Sequence, residues 1–265
     1  MTPSLLTAEQ PTYDLDLLRR LRGSALASRL RVLCVLGAHR FEELPLIDRL
    51  FPALQHIYVF EPLAGPLAVL HALAEKDQRI RVFPVAVSDR DGVAQFHVTD
   101  NDGESSSLLA FGSHSTLFPD VHVHKAIEVP TRRLDSVLAE QGLAPPDMLL
   151  IDVQGAEYQV LKSMSPALLA GVRLIYSEVS KERVYESSGL LSDVEALLAP
   201  RFVNLGYAPL REDVPVHGNA VFVARDDAAA ALELTAHERL RRAFHRLRRR
   251  LRQKRGGTAA TGASG

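Results

Sequence analysis

RVLCVLGA (31–38), HIYVFEP (56–62) and DMLLIDVQG (147–155) are the stretches that decide the fold of this chain. Each is a short, mainly apolar run, and each ends at a glycine-containing turn or at a proline that follows an acid. Runs of this kind are typical of strands that are buried on both faces of a parallel sheet. Apolar residues at helical spacing follow each run, so the sequence predicts alternating strands and helices.

The same alternation extends over most of the chain. Further strands are predicted at 79–89, 89–98, 126–134, 172–180, 201–210 and 218–226, and helices at 14–29, 41–51, 67–76, 134–142, 156–165 and 190–199. The polar segment 99–120 is predicted to be a loop over a site. We therefore predict an α/β fold with a doubly wound, mostly parallel seven-stranded sheet and an antiparallel C-terminal edge.

Composition sets the broad class of the protein. With 46% apolar and 24% charged residues, the chain is typical of a globular protein. It has no run of 18 apolar residues, and its first ten residues lack a signal-peptide pattern, so we expect a cytoplasmic protein. Cys34 is the single cysteine, which excludes an intrachain disulfide and a cysteine-rich zinc site.

Charge is divided unevenly between a body and a tail. Ten of the 31 Lys and Arg residues lie between Arg239 and Arg255, so the rest of the chain carries an excess of acids. Such a body is not expected to bind nucleic acid. Segment 237–255 has leucines and Phe244 at helical spacing, which predicts a basic amphipathic helix. Two interpretations stay open for it: binding to an anionic membrane surface or acidic partner, or packing on the body.

The expected binding site lies where the parallel strands end. In doubly wound sheets, ligands bind at the carboxyl ends of the strands, where the strand order reverses. Gly37 and Ala38 follow the first strand, and a glycine there permits close approach of the backbone to a cofactor. Glu61 ends the second strand, just before Pro62, at a spacing from Gly37 that suits a carboxylate accepting hydrogen bonds from ribose hydroxyls.

Asp152 is the main candidate for a catalytic side chain. It lies in a buried apolar strand, where an unpaired charge is costly, so an acid there commonly has a function. Glu157 follows in the first turn of the next helix and is expected to converge with Asp152 at the mouth of the cleft. His39 is a further candidate, as a general base. No metal site is predicted, because the histidines within 114–124 are not spaced for one helical face and no cysteine assists them.

Six segments match one family pattern in order and spacing. They are VFEP (59–62), VAVSDRDGVAQF (85–96), the serines at 105–107, VPTRRLDSVL (129–138), IDVQGAEYQVL (151–161) and GNAVFVA (218–224). Together they resemble the FkbM-type methyltransferases, a branch of the class I S-adenosylmethionine-dependent fold. Two positions depart from the family pattern, since Val35 and Gln154 stand where the family usually has acids, and no glycine follows Gly37 before Gly65.

The resemblance implies a class I methyltransferase-like domain at 30–226. An N-terminal extension with a helix (1–29) precedes it, and the basic helix (227–255) and a disordered tail (256–265) follow. The implied cofactor is S-adenosylmethionine, with strand-end residues predicted to bind it: Gly37, Ala38, Glu61, Pro62, Ala86, Val87 and Asp152.

The implied reaction is O-methylation of a hydroxyl on a sugar, a glycolipid or a related small molecule. Asp152, Glu157 and His39 are the residues expected to orient this acceptor or take its proton. The alternative is a non-catalytic methyltransferase-like binding or scaffold protein in a glycan pathway. A nicotinamide-dependent oxidoreductase is disfavoured, because the three-glycine fingerprint is absent.

Overall fold

The apolar runs form a central sheet that helices cover on both sides. A computed structural model describes residues 16–235 of the chain. Within that range the strands are β1 (Val32–Leu36), β2 (His56–Phe60), β3 (Ile80–Phe83), β4 (Ala86–Val87), β5 (Gly92–Thr99), β6 (Val123–Arg132), β7 (Met148–Ile151), β8 (Leu174–Ser180), β9 (Phe202–Arg211) and β10 (Val214–Ala224). The helices are α1 (Asp16–Arg19), α2 (Leu44–Leu50), α3 (Ala64–Lys76), α4 (His114–Leu117), α5 (Leu134–Glu140), α6 (Glu157–Ser163), α7 (Pro166–Gly171), α8 (Leu191–Leu198) and α9 (Ala228–Leu232).

The main sheet has seven strands in the order β3-β2-β1-β7-β8-β10-β9. The first five run parallel, and β10 is antiparallel to both of its neighbours. The chain moves outward from β1 in one direction and outward from β7 in the other, so the strand order reverses between β1 and β7. The predicted doubly wound sheet with an antiparallel C-terminal edge is confirmed.

The sheet is buried on both faces, which explains the continuous apolar runs. In β1, Leu33 and Val35 pack into one core cluster, whereas Cys34 and Leu36 pack into the cluster on the opposite face. Burying one such side chain contributes about 1.5–3 kcal/mol. The loops at the end of β1 therefore start from a strand with little freedom to move.

A second, three-stranded sheet of order β4-β6-β5 lies beside the first. The predicted strand 79–89 is divided between the two sheets, since β3 pairs with β2 and β4 pairs with β6. Pro84 stands at the division and has no N–H to donate to a continuing ladder. The connection from β5 to β6 contains α4 and brings segment 100–122 close to the ends of the main strands.

Within its described part, the predicted helix at 14–29 is confirmed only at α1 and is wrong beyond Arg19. After α1 the chain continues in turns, because Gly23 has a φ of 73° and Ser24 bridges Leu234. Leu17 and Leu26 nevertheless lie in the main core cluster, so this extension packs on the body. No helix within 16–235 is long and apolar enough to cross a bilayer. The predicted basic helix within 237–255 and the predicted tail 256–265 lie outside the described residues.

Candidate functional site

A pocket opens at the carboxyl ends of the strands, beside the point where the strand order reverses. We call it the strand-end pocket, and it encloses about 530 Å³ of empty space, its open mouth included. Most of the sequence-predicted site residues line it, namely Gly37, His39, Glu61, Pro62, Ala86, Val87 and Asp152. Ala38 and Glu157 do not line this pocket. Gly37 and Glu61 therefore border the same crevice.

Glu61 connects the loops that follow β1 and β2. Its Oε2 accepts a hydrogen bond from the N–H of His39 at 2.9 Å, and its Oε1 accepts one from the N–H of Leu63 at 2.8 Å. The side chain is buried, and burial raises the pKa of Glu61 although both N–H groups favour the charged form. Each carboxylate oxygen has a second lone pair, so the group can also accept hydrogen bonds from ligand hydroxyls.

The loop after β1 has left-handed backbone at three positions. Gly37, His39 and Phe41 have φ angles of 77°, 43° and 51°. A Cβ on Gly37 would lie 1.8 Å from the backbone oxygen of Asp152, so the contact between two loops already requires a glycine there, without any ligand. A non-glycine residue in this conformation costs roughly 1–2 kcal/mol. Complete burial of Phe41 in the core offsets that cost.

The strand-end pocket is apolar on the side next to Glu61. Phe60 and Leu63 come from the end of β2, Phe96 from β5, and Leu108 from the segment after the serines. A narrow apolar space beside a hydrogen-bonding carboxylate suits the base and sugar of a nucleoside. Sequence reasoning did not select Leu63, Phe96 or Leu108. The alternation of apolar and polar residues in β5 predicts a strand with one buried face. It does not show which part of the protein that face covers.

Gln154 is the centre of a partly buried polar cluster on the wall of this pocket. Its Nε2 donates to Asp152 Oδ1 at 2.6 Å and to Glu178 Oε2 at 3.1 Å, and its Oε1 accepts from the hydroxyl of Tyr185. Burial, and then the neighbouring Glu178 carboxylate, raises the pKa of Asp152 well above its usual value. Gln154 thus separates two acids with a neutral donor, where a glutamate would add a third carboxyl group.

Glu157 lies at the start of α6, behind the pocket wall. Its Oε1 accepts hydrogen bonds from the N–H groups of Val153 and Gly155 at 3.0 and 3.1 Å. Burial, with the Glu178 carboxylate, raises the pKa of Glu157 to about 7. Carboxyl oxygens of Asp152, Glu157 and Glu178 lie within 4.8 Å of one another, so Glu157 does approach Asp152. Its hydrogen bonds shape the loop between β7 and α6.

A second pocket adjoins the first and shares Glu104 and Gln154 with it. We call it the His217 pocket, because Glu178 and His217 lie on its wall with Glu178 Oε1 3.2 Å from His217 Nε2. His217 Nδ1 is 2.8 Å from Ser180 Oγ. Burial alone would lower the pKa of His217, but the Glu178 carboxylate more than offsets this and the pKa is raised. Glu178 and His217 can therefore share a proton.

Sequence reasoning did not select His217 as a site residue. Nothing in the pattern of β10 distinguishes His217 from an ordinary strand residue. The antiparallel register of β10 on β8 pairs His217 with Ser180 and Asn219 with Glu178. These contacts follow from strand pairing, which local sequence patterns do not contain.

A third and smaller pocket lies on the other side of Gly37 and Asp152, both of which it shares with the strand-end pocket. We call it the Glu43 pocket, and Ala38, Glu43 and Asn219 also line it. The predicted cofactor residue Ala38 therefore lies on this pocket and not on the strand-end pocket. Glu43 was not selected from the sequence, because it stands in a polar stretch at the start of a helix.

The serine loop is held to the site by its own side chains. Ser107 Oγ donates to the backbone oxygen of Gln154 at 2.6 Å, and Ser106 Oγ accepts from the N–H of Thr99 at 3.1 Å. Of these two serines, only Ser106 lines the strand-end pocket. His39 Nε2 lies 3.2 Å from the backbone oxygen of Asp102, so the loop after β1 also contacts this segment.

Comparisons with known proteins identify related sequences. Residues 37–209 match the methyltransferase FkbM domain family. The 2-O-methyltransferase NoeI of Sinorhizobium fredii is 35% identical over 136 residues, which cover 49% of this chain and 56% of NoeI. The 31-O-demethyl-FK506 methyltransferase FkbM of Streptomyces tacrolimicus is 30% identical over 177 residues, which cover 56% of this chain and 65% of that protein. The matches thus span between about half and two thirds of these relatives.

Among solved structures, the methyltransferase FkbM of Methylobacillus flagellatus is similar with a TM-score of 0.49 at 14% sequence identity. The superposition covers 74% of this chain and 44% of that chain.

Proposed function

This chain belongs to the FkbM methyltransferase family, and on that basis we propose that it is an S-adenosylmethionine-dependent O-methyltransferase. The charge of the strand-end pocket carries the proposal. Glu61, Glu104 and Asp152 line it, and no Lys or Arg is among the described residues of its wall. S-adenosylmethionine has a positive sulfonium and a positive ammonium group, so an acidic wall without cations complements it.

The same wall disfavours a nicotinamide dinucleotide. A pyrophosphate is bound by free backbone N–H groups of a glycine-rich loop and by a helix N-terminus. Here the N–H of His39 already donates to Glu61, and Gly37 is the one glycine of the loop. Two phosphates placed beside the carboxyl groups of Glu61 and Asp152 would be repelled.

The proposed contacts with the cofactor follow from the lining of the pocket. Glu61 accepts hydrogen bonds from the ribose hydroxyls, and Phe60, Val87 and Phe96 enclose the adenine. Asp152 lies at the far end, where a carboxyl group stabilises positive charge. When bound, S-adenosylmethionine would supply an activated methyl group for the acceptor oxygen, and the electrons of the C–S bond would stay on sulfur.

The His217 pocket is the proposed acceptor site, because it meets the strand-end pocket at Gln154 and Glu104. Its wall is partly apolar and partly polar, with Phe118, Val121, Leu210, Asn101 and Arg211. Such a wall suits a hydroxyl-bearing molecule with an apolar part, such as a glycolipid, or a sugar stacked on an aromatic ring. The two named relatives are O-methyltransferases by name, which supports a hydroxyl acceptor here.

Glu178 and His217 are the proposed proton acceptor. As the acceptor oxygen binds the methyl carbon, its proton passes to the Glu178 carboxylate, whose contact with His217 Nε2 shares the added charge. Asp152 and Glu178 are bridged by Gln154, so Asp152 can influence this pair without contacting the acceptor. Glu157 and His39, predicted from the sequence for this step, are not on the wall of the acceptor pocket.

The first experiment is calorimetric titration of the full chain with S-adenosylhomocysteine. We expect Glu61→Gln to weaken binding about tenfold or more, because a neutral amide replaces a charged acceptor of two hydroxyl groups. Glu75→Gln is the matched control, since it removes the same charge from an exposed position of α3 that lines neither pocket. Its affinity is expected to stay within about twofold of the wild type.

The outcomes separate the two candidate functions. If the wild-type protein does not bind S-adenosylhomocysteine, the proposal is wrong. If it binds but transfers no methyl group to sugars, glycolipids or small alcohols, the non-catalytic binding or scaffold function in a glycan pathway replaces it. Equal loss of affinity in Glu61→Gln and Glu75→Gln would reject the specific contact with ribose.

A further inference from the structure

Glu43 is a buried acid with no positively charged partner in the part of the chain that the structure describes. It stands immediately before α2 and is 7% exposed, and no ion pair to its carboxylate occurs within residues 16–235. The pKa of Glu43 is raised to about 7. Burial raises it most, the backbone N–H of Glu43 lowers it, and the neighbouring Glu42 carboxylate raises it. A carboxyl group left in this state destabilises the folded protein, and a positively charged ligand would offset that cost.

The Glu43 pocket continues the strand-end pocket past Gly37 and Asp152. Glu43 lies on its wall with Asn219 of β10, which is also buried. Val35 lines the same pocket, and no Lys or Arg is among the described residues that do so. A carboxylate and an amide on one small enclosed wall form a site for a primary ammonium group, which donates hydrogen bonds and carries the missing charge.

We propose that Glu43 binds the α-ammonium group at the amino-acid end of the cofactor. The inference depends on the proposed function, because it takes the nucleoside to occupy the strand-end pocket. A nucleoside held by Glu61 leaves its amino-acid chain to extend past Asp152, and the Glu43 pocket is the space that opens there. Glu43 thus supplies from the start of α2 the carboxylate that Val35, at the end of β1, does not provide.

The test compares two ligands that differ only in this part. S-adenosylhomocysteine has the amino-acid end, whereas 5′-methylthioadenosine has the same nucleoside thioether without it. Both are titrated calorimetrically into the wild-type chain, into Glu43→Gln and into Glu42→Gln. The last variant is the control, because it removes the exposed neighbouring acid. We expect Glu43→Gln to lose about tenfold or more in affinity for S-adenosylhomocysteine and to keep its affinity for 5′-methylthioadenosine within about twofold.

Each result has one meaning. A selective loss of S-adenosylhomocysteine in Glu43→Gln, with Glu42→Gln like the wild type, supports the assignment. Unchanged affinity for both ligands, or a parallel loss of both, overturns it, since neither depends on the ammonium group. A wild-type chain that binds neither ligand contradicts the proposed function itself, so the two failures are distinguishable.

Discussion

Replacing Glu43 with glutamine should stabilise the ligand-free protein at pH 8 and not at pH 4.5. The reason is that the pKa of Glu43 rises from 4.5 to about 7 on folding, because burial disfavours its charged form. Between these values the unfolded chain is ionised at this residue while the folded protein keeps its proton. The free energy of unfolding then falls by about 1.4 kcal/mol per pH unit, or about 3 kcal/mol in total.

Glutamine has no proton to lose, so the variant lacks this decrease. The difference in free energy of unfolding between Glu43→Gln and the wild type should therefore grow by about 3 kcal/mol from pH 4.5 to pH 8. The chain has no tryptophan, so urea unfolding is best followed by far-ultraviolet circular dichroism. Glu75→Gln, which removes an exposed acid of α3 away from Glu43, serves as the control variant. A difference for Glu43→Gln that stays flat over the same range would show that Glu43 is ionised and partnered in the folded protein.

Two further predictions concern the loop after β1 and the acceptor pocket. Gly37→Ala should lower the free energy of unfolding by at least about 3 kcal/mol, because its Cβ would lie 1.8 Å from the backbone oxygen of Asp152. Gly142→Ala has a φ of 57° and open space around the new Cβ, so it should lose only about 1 kcal/mol in the same urea experiment; equal losses would refute the steric argument. Glu178→Gln should lower kcat about a hundredfold while S-adenosylhomocysteine affinity stays unchanged, as measured by methyl transfer and calorimetry. Undiminished turnover in that variant would exclude Glu178 as the group that takes the proton.

The main sheet could be predicted because its strands are buried on both faces. In β1 and β7 every residue is buried, so the sequence shows uninterrupted apolar runs. The small sheet could not be predicted in the same way. Most of β6 is exposed or half-buried, and its partners β4 and β5 are found only through pairing between distant segments.

The site residues also divide into those that local sequence predicts and those that depend on contacts between distant segments. Glu61 and Asp152 follow directly from the rule that ligands bind where parallel strands end, because each stands at such an end. Glu43 and His217 do not, since one precedes a helix and the other lies within an antiparallel strand. Their approach to the site depends on how α2 and β10 pack, and neither position carries a local signal of it.

The position of β10 has a consequence for how the protein is made. β10 is the last strand within residues 16–235, yet it lies inside the sheet, between β8 and β9. As the polypeptide leaves the ribosome, β9 emerges with no neighbour to pair with, and β8 keeps an open edge until β10 arrives between them. His217 and Asn219 arrive on that same strand. A nascent chain therefore closes its main sheet and gains the β10 side of the His217 and Glu43 pockets in the same late step, and a product that stops before β10 has neither.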